Sequence, residues 1–104
     1  LAPYACDVTS ETQVRQTFDA IVRDLGAVDV LVTAAGIVDN APAEDYAFDR
    51  WKNMLDVNFH GTFLCAREAG AHMLRHGKPG SIVLVGSMSA FICVRPQRQA
   101  AYNA

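Results

Sequence analysis

The sequence predicts an α/β fold built around a parallel sheet. Three observations carry this prediction: helical and strand-like segments alternate along the 104 residues, the strands are continuous apolar runs, and the connections are short. Continuous apolar strands are typical of parallel sheets, which are covered on both faces. Alternating strands and helices with short connections form βαβ crossovers, so the order helix, strand, helix, strand favours this architecture.

The first helix is predicted over residues 10–25, where apolar residues recur at helical spacing. Ser10 followed by Gln13 fits a capping box, and Gly26 fits the position just past a helix end. Ahead of this helix, residues 3–6 have the composition of the end of another strand.

Two buried strands are predicted at residues 28–33 and 81–86, both rich in β-branched side chains. Between them, residues 36–47 have the composition of a loop, and a long helix is predicted over residues 48–76. Its apolar stripe consists of Trp51, Met54, Leu55, Asn58, Thr62, Cys65, Ala66, Ala69 and Met73.

The carboxyl ends of the predicted strands are the places where open parallel sheets bind ligands. After the first strand, Asp7 could accept a hydrogen bond from an adenine amino group while Val8 lies against the base, although Asp7 could equally cap the next helix. The small residues 34–36 would let a ligand approach the backbone closely, or would only permit a tight turn. Ser87 could hold a reacting oxygen, or could be a turn former.

Two further residues attract attention. Asn58 lies on the apolar stripe of the long helix, and an unpaired buried amide costs roughly 1–3 kcal/mol, so it must have partners. It is either a satisfied core residue or the site of a local distortion beside an active site. Tyr102 could exchange protons only with a cation nearby, and a Lys one helical turn later would stand at position 106, beyond the printed sequence.

Composition excludes several classes of protein. The net charge of −2 and the scattered Lys and Arg residues give no basic surface for nucleic acid. The apolar runs are too short to cross a bilayer, so no membrane partner is expected. The spacing of Cys6, Cys65 and Cys93 fits buried, reduced thiols of a cytoplasmic protein rather than a metal site. His60, His72 and His76 are expected to be solvated structural residues.

Taken together, the motifs resemble those of the short-chain dehydrogenases/reductases, and the resemblance covers essentially the whole chain. The matching stretches are Cys6-Asp7-Val8-Thr9, Ala34-Ala35-Gly36, Val57-Asn58-Phe59-His60-Gly61, Gly86-Ser87-Met88-Ser89 and Tyr102-Asn103-Ala104. The resemblance implies a Rossmann-type, doubly wound parallel sheet. Residues 1–104 would be the central part of one nucleotide-binding domain, truncated at both ends.

The resemblance also implies roles. Asp7 and Val8 would contact adenine, and Ala34, Ala35 and Gly36 would form the turn beside the cofactor, which Asn58 and Tyr102 would also approach. Tyr102 would exchange a proton with the substrate oxygen, Ser87 would orient that oxygen, and Asn58 would hold a water linking the lysine to solvent.

This sequence departs from the family pattern in three ways. Thr33 and Ala34 replace two asparagines of the turn. Ser87 lies fifteen residues before Tyr102 where thirteen is commoner, and Ser89 satisfies thirteen. We favour Ser87, which directly follows the strand. The glycine-rich phosphate loop and the lysine are absent from the 104 residues.

The expected function is hydride transfer between NAD or NADP and a secondary alcohol or carbonyl compound. The motifs resemble most the branch acting on sugar alcohols, and the long helix resembles the family's subunit interface, so the whole protein is expected to be a homo-oligomer. The 104 residues alone are expected to be inactive. The alternative is a non-catalytic nucleotide-binding or scaffolding protein of the same fold.

Overall fold

The computed structural model describes residues 1–93 and 95–104. Within these residues, four α-helices and two strands follow one another. Their bounds are α1 Glu11–Leu25, β1 Val30–Thr33, α2 Phe48–Leu55, α3 Gly61–His76, β2 Ser81–Leu84 and α4 Ala100–Asn103, with a π-helical segment at Asp56–His60 and 3-10 turns at Ala43–Asp45 and Met88–Ala90.

Helix α1 begins and ends where the sequence predicts. The Ser10 hydroxyl accepts a hydrogen bond from the Gln13 amide at 3.3 Å, and Gly26 adopts a φ of 95°, which favours glycine. The capping box is only half formed, because the Gln13 side chain accepts from the Asp7 amide instead of the Ser10 amide. The helix start is therefore tied to the segment that precedes it.

Strands β1 and β2 pair in parallel, in the register Val30 to Ser81 through Thr33 to Leu84. The chain between them runs through α2 and α3, and α3 packs on both strands while α1 packs on α3. The prediction of an α/β fold with a parallel sheet and a helical crossover is confirmed. Both strands are shorter than predicted, because Val28 and Val85 lie just outside the ladder.

The hydrophobic core lies between the helices and one face of the sheet. Val14, Phe18 and Ala69 are its buried centre. Half-buried side chains pack around it, namely Cys6, Val28, Leu31, Leu64, Cys65 and Met73. An ion pair between Arg67 and Glu11 (2.7 Å) joins α3 to α1 at the surface.

The expectation that both faces of the strands are buried is wrong for the described residues. Val30 and Val32 are 63% and 56% exposed, and Leu84 is 56% exposed. Exposure alternates along β1, whose Leu31 and Thr33 are more buried than Val30 and Val32. All four residues of β2 are exposed.

Residues 3–6, expected to be the end of a strand, have no strand conformation. A strand needs a neighbour for its backbone hydrogen bonds, and the two-stranded sheet formed by the described residues does not include this segment. It is held by side chains instead: Cys6 packs on the core, and the Tyr4 hydroxyl donates to Asp24 at 3.0 Å.

Two expectations about titratable side chains are also corrected. His72 is 5% exposed rather than solvated, because it lies three residues after Ala69 on the buried face of α3 and stacks on Phe18. Cys93 is exposed and Cys6 and Cys65 are half-buried, so only two of the three thiols approach the core. Burial raises the pKa of the Cys65 thiol.

The long helix predicted over residues 48–76 is helical throughout but changes its winding at Asp56–His60. There the Gly61 amide donates to the carbonyl of Asp56, five residues back, instead of four. Such π-bulges are frequent at functional sites. The predicted local distortion at Asn58 is confirmed. No described helix is both long enough and apolar enough to span a membrane.

Candidate functional site

The carboxyl ends of β1 and β2 lie at one edge of the sheet because the strands are parallel. A cleft of about 280 Å³ opens beside this edge. Six of the predicted site residues line it together: Ala34, Ala35, Gly36, Asn58, Ser87 and Tyr102. The structure therefore brings together residues that lie up to 68 positions apart in the sequence.

Asn58 joins the π-helical segment to the loop after β1. Its side-chain Oδ1 accepts a hydrogen bond from the Ile37 amide and its Nδ2 donates to the Ile37 carbonyl, both at 2.8 Å. Nδ2 also lies 3.2 Å from the sulfur of Met54. The amide is thus satisfied on both sides, so its role in this structure is to hold the turn that follows Gly36.

The main chain of Asn58 has a separate environment. Its carbonyl accepts a hydrogen bond from the Thr62 hydroxyl at 2.9 Å, within the turn where the helix is rewound. Rewinding displaces carbonyls from the regular helical ladder, which makes them available to side chains or water. The side chain of Asn58 therefore serves the loop while its carbonyl serves the helix.

Gly36 stands directly against this amide. A Cβ built at Gly36 would lie 3.6 Å from Asn58 Oδ1, an ordinary contact distance. With Ala34 and Ala35 beside it, the floor of the cleft carries almost no side-chain atoms. A flat ligand could consequently lie close to the backbone here.

Ser87 and Ser89 occupy different environments. Ser87 lines the cleft and caps the 3-10 turn at Met88–Ala90, with its hydroxyl accepting from the Ser89 amide at 3.1 Å. Ser89 is only 9% exposed. The oxygen of Ser87 can donate its own proton to a ligand while accepting this bond.

Tyr102 lies on the short helix α4, which is anchored from both sides. Ala101 is buried, and α4 packs on α2 and on the 3-10 turn that contains Ser89. Before α4, Gln99 pairs with Ala41 in an isolated parallel bridge, and the Ala41 amide donates to the Arg98 carbonyl at 2.9 Å. The loops after β1 and β2 are thereby joined next to α4, and Tyr102 lines the same cleft as Ser87.

A smaller groove of about 150 Å³ adjoins the first cleft and shares Ala34 and Ala35 with it. Val8 lines this groove next to Gly61, where a Cβ would stand 2.8 Å from the Val8 methyl carbon. Val8 is therefore placed where an apolar ring could lie against it. The groove and the cleft follow each other along the carboxyl edge of the sheet.

Asp7 is exposed and makes a local turn. Its Oδ1 accepts from the amide and the hydroxyl of Thr9, at 2.9 and 2.8 Å. These hydrogen bonds lower the pKa of the Asp7 carboxyl, that of the backbone amide having the larger effect. The alternative that Asp7 caps the helix is wrong, because Ser10 is the N-cap of α1. The Asp7 carbonyl accepts from the Ser10 amide in the turn that precedes the helix.

The loop after β1 is stiffened by a cluster around Asp39. Arg50 donates to this carboxylate from two nitrogens, and the Tyr46 hydroxyl donates at 2.9 Å. The Arg50 guanidinium holds the pKa of Asp39 below its usual value, with the Tyr46 hydrogen bond contributing in the same direction. One wall of the cleft is therefore fastened to α2.

Several residues in or beside the cleft were not predicted from the sequence. Ile37 supplies backbone groups, which carry no signature in the sequence, although the need of Asn58 for partners implied that some such group existed. Leu55, Phe59 and Asn103 also line the cleft. Thr33, which replaces a family asparagine, is buried with its hydroxyl unpaired among the described residues.

Comparison with known proteins agrees with this geometry. All of residues 1–104 match the family model described as short chain dehydrogenase. An NADP-dependent mannitol dehydrogenase of Alternaria alternata is 36% identical over 100 residues, which are 96% of this chain and 37% of that enzyme. The chain thus spans a little over a third of the length of such relatives.

Solved structures resemble the whole described fold. A short-chain type dehydrogenase/reductase from Mycobacterium marinum superposes with a TM-score of 0.95 at 36% identity, over 97% of this chain and 40% of that one. The structure of an NAD⁺-bound xylitol dehydrogenase has a TM-score of 0.86 at 37% identity, over 96% and 38% of the two chains. The Rossmann-type fold implied by the motifs is confirmed.

Proposed function

The chain belongs to the short-chain dehydrogenase family, and on that premise we propose that the complete protein transfers a hydride between a nicotinamide dinucleotide and a secondary alcohol or carbonyl compound. Polyols and sugars are the favoured substrates, because relatives with 36–37% identity are named mannitol and xylitol dehydrogenases. The observation that carries the proposal is the single cleft lined by Asn58, Ser87 and Tyr102.

The shape of the carboxyl edge suits a dinucleotide. Small residues leave the backbone open at 34–36. The cleft and the groove share lining residues, so they form one continuous surface from Val8 to Asn58. The adenine end would lie against Val8, with the exposed carboxylate of Asp7 beside it as a hydrogen-bond acceptor. When bound, the cofactor supplies or accepts the hydride at its nicotinamide ring.

Tyr102 is the group that exchanges a proton with the substrate oxygen. It lines the cleft from a helix anchored by the buried Ala101. A phenol needs a neighbouring cation to act at neutral pH, and a lysine at position 106 would lie one helical turn further along the same face. That lysine is part of the proposal.

Ser87 orients the substrate oxygen. Its hydroxyl accepts from the Ser89 amide, which leaves its proton directed to another acceptor. A hydroxyl or carbonyl oxygen held by both Ser87 and Tyr102 would have its reacting carbon facing the small residues 34–36. Ser89, being buried, is better suited to supporting the turn than to touching the substrate.

Asn58 is a positioning residue whose side chain acts through Ile37. The two 2.8 Å hydrogen bonds fix the backbone immediately after Gly36 and so shape the floor of the cleft. In this proposal its carbonyl, which lies in the rewound part of the helix, would hold a water that passes protons from the lysine to solvent.

Partners of the complete protein follow from its surface. Phe59 and Phe63, one helical turn apart, are 67% and 59% exposed on the long helix. Exposed aromatic pairs of this kind mark protein interfaces, so a homo-oligomer formed through this helix is part of the proposal. The three free cysteines favour a cytoplasmic location.

The test is turnover by the complete protein. Purified protein is mixed with NAD or NADP and a panel of linear polyols, and the absorbance of reduced nicotinamide is followed. Steady formation of NADH or NADPH with one of the polyols supports the proposal. Cofactor binding, measured by calorimetry, without turnover of any secondary alcohol or ketone would instead identify a non-catalytic nucleotide-binding protein.

A further inference from the structure

A second hollow, of about 600 Å³, adjoins the cleft of Asn58, Ser87 and Tyr102. It lies between the loops after β1 and β2 at the point where Ala41 pairs with Gln99. Asn103 lines both hollows, so they meet next to Tyr102. A substrate whose reacting carbon is held by Ser87 and Tyr102 would extend past Asn103 into this space.

The charge of this second hollow is its distinguishing property. Arg95 and Arg98 line it, and Glu44 is the one acidic side chain among its lining residues. Arg15, Arg23, Arg50 and Arg67 all form ion pairs with carboxylates. Within residues 1–93 and 95–104, no ion pair involves Arg95, Arg98 or Glu44.

Two unpaired guanidinium groups beside a reaction site have a clear chemical preference. The planar fork of arginine fits carboxylate and phosphate oxygens with two parallel hydrogen bonds, and such charge-assisted bonds are stronger than those to hydroxyl groups. A neutral polyol would not use this charge. The net positive lining therefore favours a substrate that carries its own negative charge.

Resting on the function proposed above, we propose that the substrate is an anionic polyol or sugar whose carboxylate or phosphate is bound by Arg95 and Arg98. The reacting carbinol is held at Ser87 and Tyr102 and the anionic group lies beyond Asn103. Arg95 and Arg98 determine specificity and take no part in the proton or hydride transfer.

The experiment compares three compounds that share a six-carbon polyol skeleton: D-glucitol, D-gluconate and D-glucitol 6-phosphate. Values of kcat/KM are measured for the complete protein and for the variants Arg95→Gln, Arg98→Gln and the double variant. Arg75→Gln is the matched control, because Arg75 is exposed at the end of α3 and forms no ion pair among the described residues. The two anionic compounds distinguish a carboxylate site from a phosphate site.

We expect one anionic compound to be preferred over D-glucitol by about tenfold or more, the usual range for a hydrogen bond to a charged group. The double variant should lose this preference by raising KM for the anion while leaving kcat/KM for D-glucitol unchanged. The Arg75→Gln variant should behave as wild type. Equal or better turnover of D-glucitol by the wild-type protein, or a preference that survives the double substitution, overturns the proposal.

A binding measurement separates this proposal from the function on which it rests. Calorimetric titration of the three compounds into the cofactor-loaded protein is carried out at low and at high salt, since screening weakens exposed charge pairs. Binding of an anion that is weakened by salt and abolished in the double variant supports the anion site even without turnover. Turnover of D-glucitol with no anion binding leaves the hydride transfer intact and overturns the anion site.

Discussion

Asn58 and Ile37 are joined by two hydrogen bonds of 2.8 Å, from the Ile37 amide to the side-chain oxygen and from the side-chain nitrogen to the Ile37 carbonyl. This pairing imitates one rung of a β-ladder between a helix and a loop. It connects the rewound part of the long helix to the turn after Gly36, so two distortions of regular structure support each other at the site.

Replacing Asn58 by Ala should therefore loosen the loop after β1. Two backbone groups of Ile37 would lose their hydrogen bonds, at a cost of about 0.5–1.5 kcal/mol each in the free energy of unfolding. The Kd for the cofactor should rise in parallel, because the floor of the cleft is no longer fixed. Denaturant unfolding and calorimetric titration of the complete protein measure the two effects. Asn53→Ala, on the exposed side of α2, is the control, and equal behaviour of both variants would refute the positioning role.

A pair of glycines on α3 tests the contact between Val8 and this helix. A Cβ at Gly61 would lie 2.8 Å from the Val8 methyl carbon and 3.2 Å from the Val8 carbonyl oxygen, whereas nothing lies within 4 Å of one at Gly70. Gly61→Ala should destabilise the protein by about 1–3 kcal/mol through overpacking. Gly70→Ala should stabilise it by about 0.5–1 kcal/mol, because alanine is the better helix former. Thermal unfolding of the two variants decides, and a Gly61→Ala protein as stable as wild type would show that Val8 is not held against α3.

Substitutions of Ser87 and Ser89 should differ in their effects on kcat and on stability. Ser87→Ala removes a hydroxyl that lines the cleft, so we expect kcat to fall by about 10²-fold or more, the loss seen when a reacting oxygen loses one donor. Ser89→Ala changes a buried residue of the supporting turn and should mainly lower the unfolding temperature. Steady-state kinetics on the best polyol distinguish them. A larger loss of kcat in Ser89→Ala would exchange the two roles.

The Asp39–Arg50 pair predicts a pH dependence of stability. The pKa of Asp39 is lowered in the folded protein, first by the hydrogen bonds from Arg50. A lowered carboxyl pKa contributes stability above the unfolded-state value, near pH 4, and that contribution is lost as the pH falls through the folded-state pKa. Arg50→Gln should hence be less stable than wild type at pH 6, with the difference shrinking below about pH 4. A difference that stays constant from pH 6 to pH 3, measured by denaturant unfolding, would contradict the linkage.

The sequence predicts the elements of this fold well where they depend on neighbouring residues. For helix α1, the sequence shows the helical spacing of the apolar residues, the N-cap at Ser10 and the terminating glycine at Gly26. Burial is harder to predict from sequence, because the exposure of Val30 and Val32 depends on which elements cover the sheet. The position of His72 could have been found, since it lies three residues after Ala69 on the predicted stripe of the helix.

The site follows the same division. Asn58 could be selected because an amide on an apolar stripe requires partners, and the carboxyl ends of the strands indicate the edge at which ligands bind. The identity of its partner could not be found, because Ile37 contributes only backbone atoms. The hollow beside Arg95 and Arg98 is bounded by two loops that pair through Ala41 and Gln99, a long-range contact without a local signature.

The variant Tyr102→Phe of the complete protein tests whether Tyr102 transfers the proton in the proposed hydride-transfer reaction. The ring is retained, so cofactor Kd should stay within about twofold, whereas kcat should fall by at least about 10²-fold, as expected on removing a general acid–base group. Tyr4→Phe, which removes only the hydrogen bond to Asp24, serves as the control. A Tyr102→Phe enzyme that oxidises polyols at the wild-type rate would contradict the account.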